Sequence, residues 1–140
     1  MSHITQAKRI VIKVGTSTLT YETGRLNLRR MEELCKVLCG LKNEGREIIL
    51  VTSGAVGVGM GKLGLHKRPE EIEQRQAVAA VGQCELMFMY DKFFGEYNHI
   101  VAQVLLTKDV VQNTIMRRNA ENTFLTLLQL GSIPVVNEND

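Results

Sequence analysis

Four short apolar runs, each ending at a polar or glycine-bearing break, limit the fold of this chain more than any other feature. They are Arg9–Val14, Glu47–Thr52, Ile100–Leu106 and Ile133–Asn137. Each has the length of a strand rather than a helix, and each is rich in Val, Ile or Leu. Their apolar character is nearly continuous instead of alternating, which is the pattern of strands covered on both faces of a parallel sheet. Between them the period changes. Asn27 suits a helix N-cap, and Leu28, Met31, Leu34, Cys35, Leu38 and Leu41 then recur at helical spacing up to Gly45. Pro69 fits the first position of a second helix, with Glu70 and Glu71 at the positive end of its dipole. That helix is expected to run to about Phe94. From Ala77 to Met89 it is apolar on most sides, which predicts heavy burial, a subunit interface being one way to achieve it. A further helix is expected from about Met116 to Leu130, closed by Gly131. The alternation of strand and helix predicts an α/β fold. It would be a mainly parallel sheet with right-handed crossovers and helices on both faces, a three-layer α/β/α sandwich.

The last run ends the chain with no helix to cover it, whereas domain boundaries normally fall in exposed linkers. Residues 1–140 are therefore expected to form the N-terminal portion of a larger domain. Lys and Arg exceed Asp and Glu by 17 to 15, too small a margin to indicate a partner. The basic residues are scattered apart from Lys67-Arg68 and Arg117-Arg118, and there is no Trp. No basic stripe with interleaved aromatics is present, so no nucleic-acid partner is expected. The apolar runs are too short to span a bilayer, and the N-terminus has no apolar signal core; a cytoplasmic protein with no membrane association is expected. Three cysteines and no leader predict reduced thiols. Cys35 and Cys39 share one helix face without a histidine to complete a metal site, and His3, His66 and His99 are scattered, so no metal site is expected.

In an open α/β sheet, ligands bind beyond the carboxyl ends of the strands. The first strand delivers Lys13 and then Gly15-Thr16-Ser17, and the second Thr52-Ser53-Gly54-Ala55. The third delivers Thr107 and Asp109, and the fourth Asn137-Glu138-Asn139-Asp140. Lysine, glycine, hydroxyls, amides and carboxylates are the groups that phosphoryl transfer uses for positioning and charge neutralisation. A lysine inside an apolar strand is costly to bury unless an anion meets it, although its amine can also reach solvent past the strand end. Gly15 admits close approach of the backbone to a ligand, and Ser53-Gly54-Ala55 offers a hydroxyl and bare amides to a carboxylate or phosphate. The amide and carboxylate of Asn137 and Asp140 could bind an ammonium group or position a lysine or a metal. The stretch Gly59-Met-Gly61-Lys62-Leu63-Gly64 matches a dinucleotide-binding pattern in spelling only, because it does not follow the strand directly. A Walker loop is excluded by Leu63, where Ser or Thr is needed, and by Val56, where the first Gly is needed.

Lys13-Val-Gly-Thr-Ser17, Val51-Thr-Ser-Gly-Ala-Val56, Ala79-Ala-Val-Gly-Gln83 and Val136-Asn-Glu-Asn-Asp140 together resemble the amino-acid kinase family. Arg118-Asn119-Ala120, Thr123 and Gln103-Val-Leu-Leu-Thr107 agree with it. Ala-Ala-Val-Gly-Gln and Asn-Glu-Asn-Asp select the glutamate-phosphorylating branch over relatives acting on N-acetylglutamate, aspartate, carbamate or UMP. The resemblance implies transfer of phosphate from ATP, with Mg²⁺, to the side-chain carboxylate of L-glutamate, giving L-glutamyl 5-phosphate in the first step of proline synthesis. It implies that Lys13 acts on the transferring phosphoryl group beside Gly15 and Thr16. Ser53, Gly54, Ala55, Asn137 and Asp140 would then form the glutamate pocket. It also implies a homo-oligomer open to feedback inhibition by proline. The family's catalytic Asp and Lys residues and its adenine-binding half lie beyond Asp140, so the 140-residue chain alone is expected to be inactive. Fusion to a glutamyl-phosphate reductase, another acceptor within the family, and a binding-only module are the competing readings.

Overall fold

A computed structural model describes residues 7–138, apart from the side chains of Thr16 and Glu138. Strands β1 (Arg9–Val14), β2 (Glu47–Thr52), β3 (Val101–Leu106) and β4 (Ile133–Glu138) alternate with helices. The helices are α1 (Thr16–Leu19), α2 (Leu28–Asn43), α3 (Ala55–Leu63), α4 (Ile72–Glu96), α5 (Lys108–Gln112) and α6 (Thr114–Gln129). The strand order is β1-β2-β4-β3, and every pairing is parallel. As expected, the fold is α/β with helices on both faces of the sheet. Because side chains alternate along a strand, the two faces separate cleanly. Ile48, Leu50, Ile133 and Val135 enter the main core with Met31, Cys35 and Leu38 of α2 and Leu86, Tyr90, Phe93 and Phe94 of α4. The opposite face carries Val11, Ile49, Val51 and Val136. Val111 of α5 and Phe124 of α6 border it around a groove of about 500 Å³.

Local chemistry accounts for the helix ends. The Asn27 side chain accepts a hydrogen bond from the Arg30 amide at 3.2 Å, capping α2. Asn113 accepts from the amides of Ile115 and Met116, both at 3.0 Å, and so starts α6 earlier than its apolar periodicity suggested. Asn27→Ala is expected to lower stability by about 1 kcal/mol, the usual worth of such a cap. Urea unfolding would show this as a lower midpoint at unchanged slope.

Three expectations need correction. Pro69-Glu70-Glu71 does not begin the long helix; Glu71 stands as the extended N-cap of α4, at φ −80° and ψ 143°. The glycine-rich connection after β2 contains an element not foreseen, the nine-residue helix α3. Glycine disfavours a helix interior by about 1 kcal/mol per residue, so tertiary packing must supply what propensity withholds. Finally, α4 is buried on one side rather than all round: Tyr90 and Phe94 are fully buried while Phe88 is 63% exposed. Among the described residues, no helix is long and apolar enough to cross a membrane.

Candidate functional site

The site is assembled where β2 and β3 send their following helices to opposite faces of the sheet. α3 packs on α4 in the main core, whereas α5 and α6 lie on the other side. In open α/β sheets it is beside such a divergence, beyond the carboxyl ends of the strands, that ligands bind.

β2 ends in a sharp turn. Gly54 adopts φ 92° and ψ 21°, a left-handed conformation in which a Cβ would be strained. The turn lets α3 start immediately, with Ala55 buried at its first position. No side chain caps this helix, so its leading amides are not satisfied from within the turn. They form the positive end of the helix dipole. The Ser53 amide donates to the Val14 carbonyl at 3.4 Å, tying the end of β2 to the end of β1.

Beneath this turn lie polar atoms that the fold seals from solvent. Thr52 and Asn137 are register partners on β2 and β4, and both point to the α4 side. Thr52 is 0% and Asn137 9% exposed. Among the described residues, their Oγ1 and Oδ1 atoms and the Tyr90 hydroxyl from α4 are buried without a hydrogen-bond partner, as are both polar atoms of the Gln83 side chain on α4. Buried polar atoms are normally paired; of these, the Thr52 and Asn137 oxygens lie side by side at strand ends. Burial raises the Tyr90 phenol to about 12; the nearby Thr52 hydroxyl acts the other way, although the two oxygens are outside hydrogen-bonding geometry.

The structure brings together Ser53, Gly54, Ala55 and Asn137 around adjoining strand ends. Gly15 stands at the neighbouring end of β1 as the extended N-cap of α1, and Thr16 opens that helix. A Cβ on Gly15 would meet nothing within 4 Å, so packing within the chain does not call for glycine there. Lys13 is exposed, on the sheet face shared with Val11 and Val51. The cost of burying a lysine, weighed from the sequence, is therefore not incurred. Asp140 lies outside the described residues. Thr107 and Asp109 serve α5, the Thr107 hydroxyl accepting from the Val110 amide at 3.4 Å. Tyr90 escaped sequence reading because it lies among apolar residues at helical spacing and nothing local marks it as polar floor. Among the described residues, no three His, Cys, Asp or Glu side chains gather as metal ligands.

The chain is an α/β protein with an uncapped helix start and polar groups gathered at parallel strand ends. A solved structure of isopentenyl phosphate kinase from T. acidophilum shares the fold, with TM-score 0.64 and 17% identity over 96% of this chain and 58% of that one. The sequence pattern of the amino acid kinase family matches residues 8–140, and the chain belongs to that family. A glutamate 5-kinase from Clostridium perfringens is 63% identical over 134 residues, 96% of this chain and 50% of the relative. One from Listeria innocua is 60% identical, covering 96% and 49%. A third, from Moorella thermoacetica, is 55% identical, covering 98% and 36%. The chain thus spans about half the length, or less, of these curated relatives.

Proposed function

We propose that the full-length protein carrying this sequence transfers the γ-phosphoryl group of ATP to the side-chain carboxylate of L-glutamate. The products are L-glutamyl 5-phosphate and ADP. One observation carries this reading: the uncapped start of α3, reached through left-handed Gly54, stands beside two buried oxygens without partners on Thr52 and Asn137. Donors on one side and acceptors on the other suit a ligand that has both carboxylate and ammonium groups. The named relatives, at 55–63% identity, supply the particular amino acid.

In this reading the amides of Gly54 and Ala55 and the Ser53 hydroxyl hold glutamate by carboxylate. Asn137 and Asp140 complete the pocket on the side of its ammonium group. A side-chain carboxylate oxygen attacks the γ-phosphorus, and the bond to the β–γ bridging oxygen breaks, leaving with ADP. Lys13 neutralises charge on the phosphoryl group in transit. The Gly15 amide and Thr16 approach the phosphates, and the open space around Gly15 supports that close approach. Mg²⁺ would accompany the ATP phosphates; the described residues offer no ligand set of their own for it, and no step here runs through it. Self-association and feedback by proline belong to the same reading.

The test is steady-state turnover of the full-length protein with ATP and, in turn, glutamate, N-acetylglutamate, aspartate and UMP. Glutamate is the expected acceptor. Ser53→Ala should raise its KM about tenfold to a hundredfold, the worth of one hydrogen bond to a charged group. Turnover with UMP and none with glutamate would overturn the assignment.

A further inference from the structure

Helix α3 lies in direct backbone contact with its neighbours. A methyl group on Gly82 of α4 would collide with the carbonyl oxygen of Ala55, the first residue of α3. One on Gly59 of α3 would collide with the Val78 carbonyl of α4. On its other side, a methyl on Gly61 would lie 2.5 Å from the Gly24 carbonyl carbon, in the turn before α2. At the far end, Lys62 Nζ donates to Glu85 Oε2 of α4 at 2.5 Å. Close packing is not general to the helical glycines: Gly95 of α4 and Gly40 of α2 would each place a methyl in open space, with nothing within 4 Å.

Three glycines in nine residues make α3 a poor helix by itself. Contact with α4 therefore determines where its first turn lies. The buried oxygens of Thr52 and Asn137 are placed by a different body, the sheet. A ligand held by the Gly54–Ala55 amides against the strand ends needs the two bodies at a constant separation. We propose that Gly82 and Gly59 are positioning residues for the acceptor, setting the height of the Gly54–Ala55 turn over β2 by excluding side chains between α3 and α4. This rests on the reading that Ser53-Gly54-Ala55 grips the acceptor carboxylate. A methyl between the helices must displace the turn, and a misplacement of about 1 Å can cost about a hundredfold in rate.

Steady-state kinetics of the full-length protein with glutamate and ATP test the proposal. Gly82→Ala should raise the glutamate KM by at least about tenfold, without a matching rise in KM for ATP. Gly95→Ala, the same change in the same helix, should alter neither. If Gly82→Ala lowers only thermal stability, or raises both KM values alike, the positioning role is wrong. Ser53→Ala separates the two ideas: if it too leaves the glutamate KM unchanged, the acceptor site itself is misplaced. Should Gly82→Ala fail to fold, hydrogen exchange on the unaltered protein decides. The Val58 amide, which donates to the Gly54 carbonyl at 3.0 Å, should exchange as slowly as the buried part of α4 without ligand. Fast exchange there would show that α4 does not hold the turn.

Discussion

Lys13→Ala in the full-length protein is expected to lower kcat for glutamate phosphorylation by about a hundredfold to a thousandfold, the usual loss when one group aimed at developing transition-state charge is removed. The position supports the role. Lys13 is the penultimate residue of β1, paired in register with Val51, so it stands near the carboxyl end of that strand, two residues before Gly15. It is exposed. Transfer of a phosphoryl group involves little covalent work for the protein, so a placed positive charge acts mainly on the barrier. The kinetic signature follows: kcat and kcat/KM should fall together, as for an interaction made in the transition state. A rise in KM for ATP at unchanged kcat would instead make Lys13 a ground-state phosphate contact. Lys13→Arg should recover only part of the rate, because a planar fork does not replace a compact point charge.

Alkaline conditions are expected to lower the protein's stability progressively between pH 9 and 12. Burial, reinforced by the neighbouring Cys39, raises the Cys35 thiol from 9.0 to about 12. Burial likewise raises the Tyr90 phenol from 10.0 to about 12. Both groups are neutral when protonated, and the folded state holds their protons more tightly than the unfolded state does. Their stabilisation is thus fully present below pH 9, where both states are protonated. It declines as the unfolded chain releases first the thiol proton and then the phenol proton. At about 1.4 kcal/mol per unit, the two shifts together are worth roughly 7 kcal/mol, against a typical total of about 5–15 kcal/mol. Urea midpoints measured from pH 8 to 11 should fall above pH 9 and fall faster above pH 10. Tyr90→Phe should remove the second phase while changing little at pH 7, since the hydroxyl it deletes has no hydrogen bond. A midpoint that stays flat to pH 11 would refute the burial of these groups.

The strands were legible because their signal is local. Arg9–Val14 and Glu47–Thr52 have the bounds that their apolar runs indicate, and Asn27 caps α2 as its residue type suggests. The break after β2 was legible too: Ser53 and Gly54 form a turn directly after the strand, with Gly54 left-handed. The identity of α3 was not legible. Its glycines argue for a loop, and only α4 pressed against bare backbone makes a helix there.

The sequence by itself therefore determined the class of fold, the family and the chemical types at the four strand ends, since each depends on short-range pattern and composition. Only the tertiary structure decided which of those groups meet. Strand order puts Thr52 beside Asn137, side-chain alternation sends them toward Tyr90 and sends Lys13 to the opposite face, and α4 sets where α3 begins. These are contacts between residues far apart in the chain. No local pattern encodes them, because each arises from how one element buries its surface against another.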